Sequence, residues 1–184
     1  MLHAAHDEFR RRLVHLTPDN STAPTPCPAW TARDLANHVV AGDRMAVALF
    51  EGATTETAID ILTSEWLHDD PIAAFTTAAD ALHHAAAAPG ALDRVVAHPS
   101  GPIPGRTLIG FRIGEHLVHA WDLARALHTD DTLDPTLVQG MWEFMHPLAA
   151  TISELGIFGT GPSGTLGPDS PLQDRLLDLV GRRP

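Results

Sequence analysis

The sequence predicts an all-helical protein, a bundle of four long helices with a fifth helix appended and a small β-hairpin. Apolar residues recur at three- and four-residue steps through most of the chain, which is the spacing of one helix face. The pairs Asp70-Pro71 and Asp134-Pro135 are strong helix starts, with Asp as the N-cap and Pro in the first turn. With 184 residues the chain is long enough for one domain with a sizeable core.

The first helix is predicted over residues 2–16, and a proline-rich loop over 18–28 follows it. The second helix, from about 32 to 51, begins at Thr31, where Thr31-Ala-Arg-Asp34 resembles a capping box with Asp in place of Glu. Residues 54–68 have a weaker pattern, which fits a short helix or an ordered loop.

The third helix follows Asp70-Pro71 and ends before Pro89. Residues 94–97 and a partner near 106–108, separated by Pro and Gly, predict the hairpin. The remaining predicted elements are a fourth helix over about 108–128, a fifth over 135–155, a loop over 156–170 and a short helix over 173–180. Residues 1–155 are thus predicted to form the helical bundle, with 156–184 packed on the same domain.

Composition excludes several classes of protein. The net charge of −11 argues against nucleic-acid binding, which needs a basic surface. The single cysteine, Cys27, rules out an intramolecular disulfide and a cysteine-rich zinc motif. Neither a signal-peptide pattern nor a run of ~20 apolar residues is present. We therefore expect a soluble cytoplasmic protein with no membrane or nucleic-acid partner.

Three side chains form a candidate metal site. Glu115 and His119 lie four residues apart and share one face of the predicted fourth helix, and His38 lies on the second helix. Two imidazoles and one carboxylate leave coordination positions open for water or substrate, as in catalytic zinc and non-haem iron sites. A buried Glu–His hydrogen-bond network would have the same spacing, so spacing alone leaves both interpretations open.

Other candidates have weaker support. His116 points about 100° around the helix from Glu115 and is predicted not to be a ligand. Asp122 and Asp34 each lie one turn from a proposed ligand; each could hold its imidazole or be an ordinary surface acid or helix cap. Cys27, between prolines, is predicted to pack. His6, on the core side of the first helix, is the better candidate for a fourth ligand; without it the site is open.

Two segments resemble a known family. Residues 25–38, TPCPAWTARDLANH, and residues 115–125, EHLVHAWDLAR, resemble the two signatures of the DinB-like, mycothiol-dependent maleylpyruvate isomerase N-terminal domain. The closest resemblance is to the stand-alone actinobacterial metal-binding members of that group. Residues 173–183, QDRLLDLVGRR, also resemble the C-terminal segment of those proteins.

The resemblance implies a DinB-type four-helix bundle that binds one divalent metal ion, usually zinc, through His38, Glu115 and His119. In characterised members the metal handles the thiolate of mycothiol, the low-molecular-weight thiol of actinobacteria. In this family, the maleylpyruvate isomerase itself has two domains, and its second, α/β domain helps to form the active site. These 184 residues hold only a loop and a short helix in that place, so the substrate is not carried over.

Three functions remain open. The favoured one is a zinc-dependent enzyme that acts with a thiol such as mycothiol. It either transfers the thiol to a small electrophilic substrate or isomerises that substrate. Arg112 and Arg44 are candidate cations for an anionic substrate, although a solvated surface position is the simpler explanation for each. The second is a thiol-independent hydrolase with a metal-activated water, with His116 or Asp122 as base. The third is a non-catalytic metal- or ligand-binding protein, or a subunit of an oligomer such as a homodimer.

Overall fold

The structure is a computed structural model and describes residues 1–150, 154 and 161–184. The chain divides into two compact units, Met1–Asp131 and Thr132–Pro184. This division lies earlier than the predicted boundary after residue 155, because the helix that begins at Pro135 packs against the C-terminal helix. The packing of residues 156–184 on the domain of the bundle stays a prediction.

The first unit is a helical bundle with a small hairpin, which confirms the predicted fold class. Its α-helices are α1 (Leu2–Leu13), α2 (Ala32–Phe50), α3 (Thr55–Leu62), α4 (Pro71–Ala87) and α5 (Gly105–Leu127). Helices α1 and α2 both pack against α4 and α5, and the short α3 packs on α2. Among the described residues no helix is both long and apolar enough to cross a lipid bilayer.

The hairpin and the start of α5 differ from the prediction by about three residues. The strands are β1 (Val95–Val96) and β2 (Ile103–Pro104), paired antiparallel, whereas the second strand was expected near residues 106–108. Those residues belong to α5 instead, because the helix begins at Gly105. A side chain at Gly105 would place its Cβ 2.2 Å from the carbonyl oxygen of Ala91, so only glycine permits this close approach.

Helix α2 begins at the capping box that the sequence predicted. The Thr31 hydroxyl accepts a hydrogen bond from the Asp34 N–H, and the Asp34 carboxylate accepts one from the Thr31 N–H. The Thr31 hydroxyl also donates to the Asp34 carboxylate, and this bond, together with the one from the Thr31 N–H, holds the pKa of Asp34 below its usual value. The buried face of α2 then runs through apolar residues and one acid: Leu35, Val39, Asp43, Ala46 and Leu49.

The second unit contains α6 (Pro135–Met145), a 3-10 turn (His146–Leu148) and α7 (Leu172–Leu179). Asp134 caps α6 by accepting hydrogen bonds from the N–H groups of Thr136 and Leu137. The predicted fifth helix extended to residue 155; the regular helix ends at Met145, and residues 151–153 and 155 lie outside the described residues. The predicted short terminal helix agrees with α7 to within one residue.

Replacing Thr31 by Ala should lower the free energy of unfolding by about 1 kcal/mol, because it removes the hydroxyl that caps α2. Thr76→Ala is the matched control: its hydroxyl donates to the carbonyl oxygen of Ile72 and caps no helix end, and the residue is exposed in the middle of α4, where alanine favours the helix. Urea unfolding monitored by circular dichroism measures both changes. Equal losses of stability in the two variants would contradict the capping role.

Candidate metal centre

The structure brings His38, Glu115 and His119 together at the contact between α2 and α5. Nε2 of His38 lies 2.9 Å from Oε2 of Glu115, and Nε2 of His119 lies 3.3 Å from the same oxygen. One ligand atom from each residue lies within 4.8 Å of the others. The three side chains that the sequence singled out therefore form one cluster, with a donor set and a spacing that could hold a metal ion.

The cluster is closed on the α5 side and accessible at His38. The side chain of His119 is 4% exposed, that of Glu115 is 13% exposed and that of His38 is 25% exposed. Three protein ligands with one solvent-facing edge are typical of catalytic rather than structural metal sites.

The electrostatics suit a cation. Burial opposes ionisation of Glu115, but hydrogen bonds from His119 and His38 hold the pKa of its carboxyl well below the usual value. Burial lowers the pKa of His38, so its imidazole is neutral near pH 7 and has a lone pair to donate. Burial also acts to lower the pKa of His119, but its hydrogen bond to Asp122 contributes most to raising the value well above normal. The raised pKa keeps a second proton on the His119 imidazole, and a bound dication would displace that proton.

Asp122 supports the cluster from behind. It is fully buried, and its Oδ2 lies 2.9 Å from Nδ1 of His119. A carboxylate on the outer nitrogen fixes the orientation of an imidazole whose other nitrogen faces a metal. Asp34, the other candidate for this role, is instead engaged in the cap of α2 with Thr31.

Cys27 lies beside the cluster, contrary to the expectation that it only packs in the loop. Its Sγ is 3.5 Å from Oδ2 of Asp122, and ligand atoms of Cys27, His119 and Asp122 lie within 4.8 Å of one another. The proline-rich loop folds back because Pro24 forms a bridge with Thr31 and the Thr25 hydroxyl lies 2.9 Å from the carbonyl oxygen of Trp30. Spacing along the chain could not reveal this return.

Trp30, in the same loop, covers the two imidazoles. Its ring centroid lies 4.5 Å from that of His38 and 5.8 Å from that of His119. The ring is only half-buried, so it forms part of the solvent-facing wall of the cluster. The sequence placed Trp30 eight residues before His38 but could not indicate this contact.

Arg112 is buried, whereas a solvated surface position was the simpler expectation. Its side chain is 4% exposed; Nε donates to Oδ1 of Asp43 at 3.1 Å and Nη2 donates to the carbonyl oxygen of Val39 at 3.0 Å. Its Nη1 also lies 3.8 Å from Oε2 of Glu115. The guanidinium therefore sits behind the cluster and is engaged by protein groups. Arg44, the other candidate cation, stacks over Trp66 at 4.4 Å.

Gly42 makes room for this guanidinium. A Cβ atom at residue 42 would lie 2.2 Å from Nη1 of Arg112 and 2.4 Å from its Cζ. Since α2 carries no side chain at this point, Arg112 can reach the backbone of α2 at Val39.

His6 and His116 lie away from the His38 cluster. Both contact Asp43, with His6 Nε2 3.2 Å and His116 Nε2 2.9 Å from its carboxylate oxygens. His6 is therefore not placed as a fourth ligand to the first cluster, and His116 is not a member of it, as its direction on the helix predicted. Asp43 was missed by the sequence reasoning. The available signal was an acid four residues after Val39, on the otherwise apolar face of α2.

Replacing His119 by Ala should remove one bound divalent ion per chain, because it deletes one of the three candidate ligands. His38→Ala should do the same, whereas the exposed His84→Ala on α4 should leave the metal content unchanged. Elemental analysis of protein purified without a His tag, after dialysis against zinc, measures the content. Full occupancy in His119→Ala would refute the ligand assignment.

Replacing Gly42 by Ala should lower the free energy of unfolding by about 1–3 kcal/mol, because the methyl group overlaps the Arg112 guanidinium. In an Arg112→Ala background the same change should lose most of this cost, since the overlap is gone and alanine favours the helix. Urea unfolding of all four proteins gives the coupling free energy. An equal cost in both backgrounds would show that the overlap is not the cause.

Comparison with known proteins matches the part of the chain that contains these residues. A family model described as the mycothiol maleylpyruvate isomerase N-terminal domain matches residues 2–124, which include His38, Glu115 and His119. Two proteins of Mycobacterium tuberculosis, uncharacterized protein MT0763 of strain CDC 1551 / Oshkosh and uncharacterized protein Rv0738 of strain ATCC 25618 / H37Rv, are each 32% identical over 184 residues, covering 97% of this chain and 93% of the relative. No solved structure matches significantly. The chain belongs to the mycothiol maleylpyruvate isomerase N-terminal domain family.

Proposed function

We propose that the protein is a divalent-metal-dependent enzyme that acts with a low-molecular-weight thiol such as mycothiol. The reaction is thiol transfer to a small electrophilic substrate, or isomerisation of that substrate, with zinc held by His38, Glu115 and His119. One observation carries the proposal: α2 and α5 bring these three ligands together at a solvent-facing edge, in a chain of this family.

The donor set fits zinc. Two imidazole nitrogens and one carboxylate oxygen are common ligands of catalytic zinc, and three protein ligands leave a position for an exchangeable group. A bound divalent ion supplies Lewis acidity, which lowers the pKa of a coordinating thiol and favours its thiolate at neutral pH. The accessible His38 edge gives a small thiol a route to the cluster.

The surrounding residues position the ligands. Asp122 holds the outer nitrogen of His119, and the Arg112 guanidinium lies behind Glu115. Trp30 lies against His38, so its indole forms a flat apolar wall beside the exposed edge. Because Arg112 is buried and bonded to Asp43, we assign it to holding the site rather than to binding an anionic substrate.

We place the reaction in the cytoplasm, with small molecules as the partners of the protein. The net charge of −11 supports the absence of a nucleic-acid partner. The volume and charge of the electrophilic substrate are set by groups around Trp30 and His38, where the cluster meets solvent.

The external thiol must be distinguished from Cys27, which lies beside His119. If Cys27 supplied the reacting thiol, added mycothiol would be unnecessary. Under the proposal, the wild-type protein needs an added thiol, and Cys27→Ala keeps its turnover when that thiol is supplied.

Thermal-shift measurements test the binding step. Mycothiol should raise the melting temperature of the zinc-loaded protein but not of the chelator-treated protein or of His119→Ala. S-methylated mycothiol is the matched control, because it keeps the sugar and inositol groups and lacks the thiol proton. Equal shifts with the methylated compound, or in the metal-depleted protein, would contradict coordination of the thiol.

Turnover of a panel of small electrophiles tests the reaction. Loss of turnover on omission of the thiol is the expected result, and turnover with zinc alone would indicate a hydrolytic enzyme instead. A zinc-loaded protein that neither binds a thiol nor converts any member of the panel would indicate a non-catalytic binding protein.

A further inference from the structure

A second cluster of potential ligands includes His116, which lies between Glu115 and His119 in α5, and it was not anticipated from the sequence. It consists of His6 from α1, Asp43 from α2 and His116 from α5. We propose that these three residues form a second divalent-metal site, separate from the cluster of His38, Glu115 and His119.

The geometry of the second cluster resembles that of the first. Nε2 of His116 lies 2.9 Å from Oδ1 of Asp43, and Nε2 of His6 lies 3.2 Å from Oδ2 of Asp43. One ligand atom from each residue lies within 4.8 Å of the others. Because each ligand comes from a different helix of the bundle, the packing of α1, α2 and α5 holds the donor atoms in place.

Three buried atoms of the cluster, Nε2 of His6, Oδ2 of Asp43 and Nδ1 of His116, lack hydrogen-bond partners among the described residues. Asp43 and His116 are fully buried and His6 is 4% exposed. Nε2 of His6 and Oδ2 of Asp43 face each other at 3.2 Å, which is an ion-pair distance, but without the alignment of a good hydrogen bond, and no other described group bonds either atom. Buried polar atoms are nearly always satisfied, and a cation held between a nitrogen lone pair and a carboxylate oxygen would satisfy both.

Neighbouring groups support the ligands as outer partners usually do. Nδ1 of His6 lies 2.8 Å from Nε2 of His83 on α4, so a proton on Nδ1 leaves the lone pair of Nε2 directed at Asp43. On the other side, Arg112 donates to Oδ1 of Asp43. The carboxylate can therefore bond Arg112 through one oxygen and a metal ion through the other.

A cavity next to the cluster provides an entry path. It has a volume of about 250 Å³, and His6 and His83 form part of its wall. Its other ionisable wall residues are His3, Asp7, Arg10 and Asp80. The two carboxylates and the two further imidazoles of this wall are groups that an incoming cation can bind in turn. The two carboxylates also outnumber the single arginine, whose charge would repel the cation.

The donor set selects the class of ion. Two imidazoles and one carboxylate favour zinc, cobalt, nickel or ferrous iron over magnesium and calcium, which prefer oxygen ligands. The competing account is a closed hydrogen-bond network, in which both imidazoles donate to Asp43 and no ion binds. The two accounts differ in metal stoichiometry.

The experiment counts ions in protein dialysed against zinc and, separately, against cobalt. Wild-type protein should hold two ions per chain, and His119→Ala and His6→Gln should each hold one. The double variant should hold none. His84→Gln, at the exposed residue next to His83, is the matched control and should keep two ions. Circular dichroism checks that each variant is folded.

The metal counts test the two sites separately. One ion in wild-type protein that is lost in His119→Ala would overturn the second site and leave the proposed function intact. One ion that survives in His119→Ala and is lost in His6→Gln would support the second site and overturn the first. No bound ion would overturn both. Because His119→Ala leaves the second cluster unaltered, its retained ion tests this proposal even if His6→Gln does not fold.

Discussion

Asp43 of α2 and Arg112 of α5 form an ion pair in the interior of the bundle, and the arrangement of both ligand clusters depends on it. The pair is almost completely shielded from water, so each charge needs the other, and the guanidinium also bonds the carbonyl oxygen of Val39. This contact requires the space that Gly42 leaves on α2. The pair thereby sets how closely the helix carrying His38 approaches α5.

The same guanidinium connects the two clusters. Arg112 donates to Asp43 of the second cluster and lies 3.8 Å from Glu115 of the first. One buried cation therefore stabilises two carboxylates, each flanked by two imidazoles: His38 and His119 at Glu115, and His6 and His116 at Asp43. A family fold does not by itself give the reaction, so the functional argument depends on these local arrangements and on the solvent-facing edge at His38.

Local features of the sequence were sufficient for three helix starts and for two of the three residues of the first cluster. Capping at Thr31, Asp70 and Asp134 is decided within a few residues of the chain, and the structure contains all three caps. Glu115 and His119 share a face because helical geometry places residues four apart together. The joining of His38 to them rested on the expected bundle and on the family resemblance rather than on any local pattern.

The sequence by itself thus determined the helical class, the cap positions and the three candidate ligands, since these follow from short-range geometry and recognisable motifs. Only the tertiary structure decided that Cys27 returns to His119, that Arg112 is buried and that His6 meets Asp43 rather than the first cluster. Such contacts join residues far apart in the chain, and they depend on which helix faces pack together. Periodicity fixes the buried face of each helix, but the partner of a buried polar group is chosen by packing between helices.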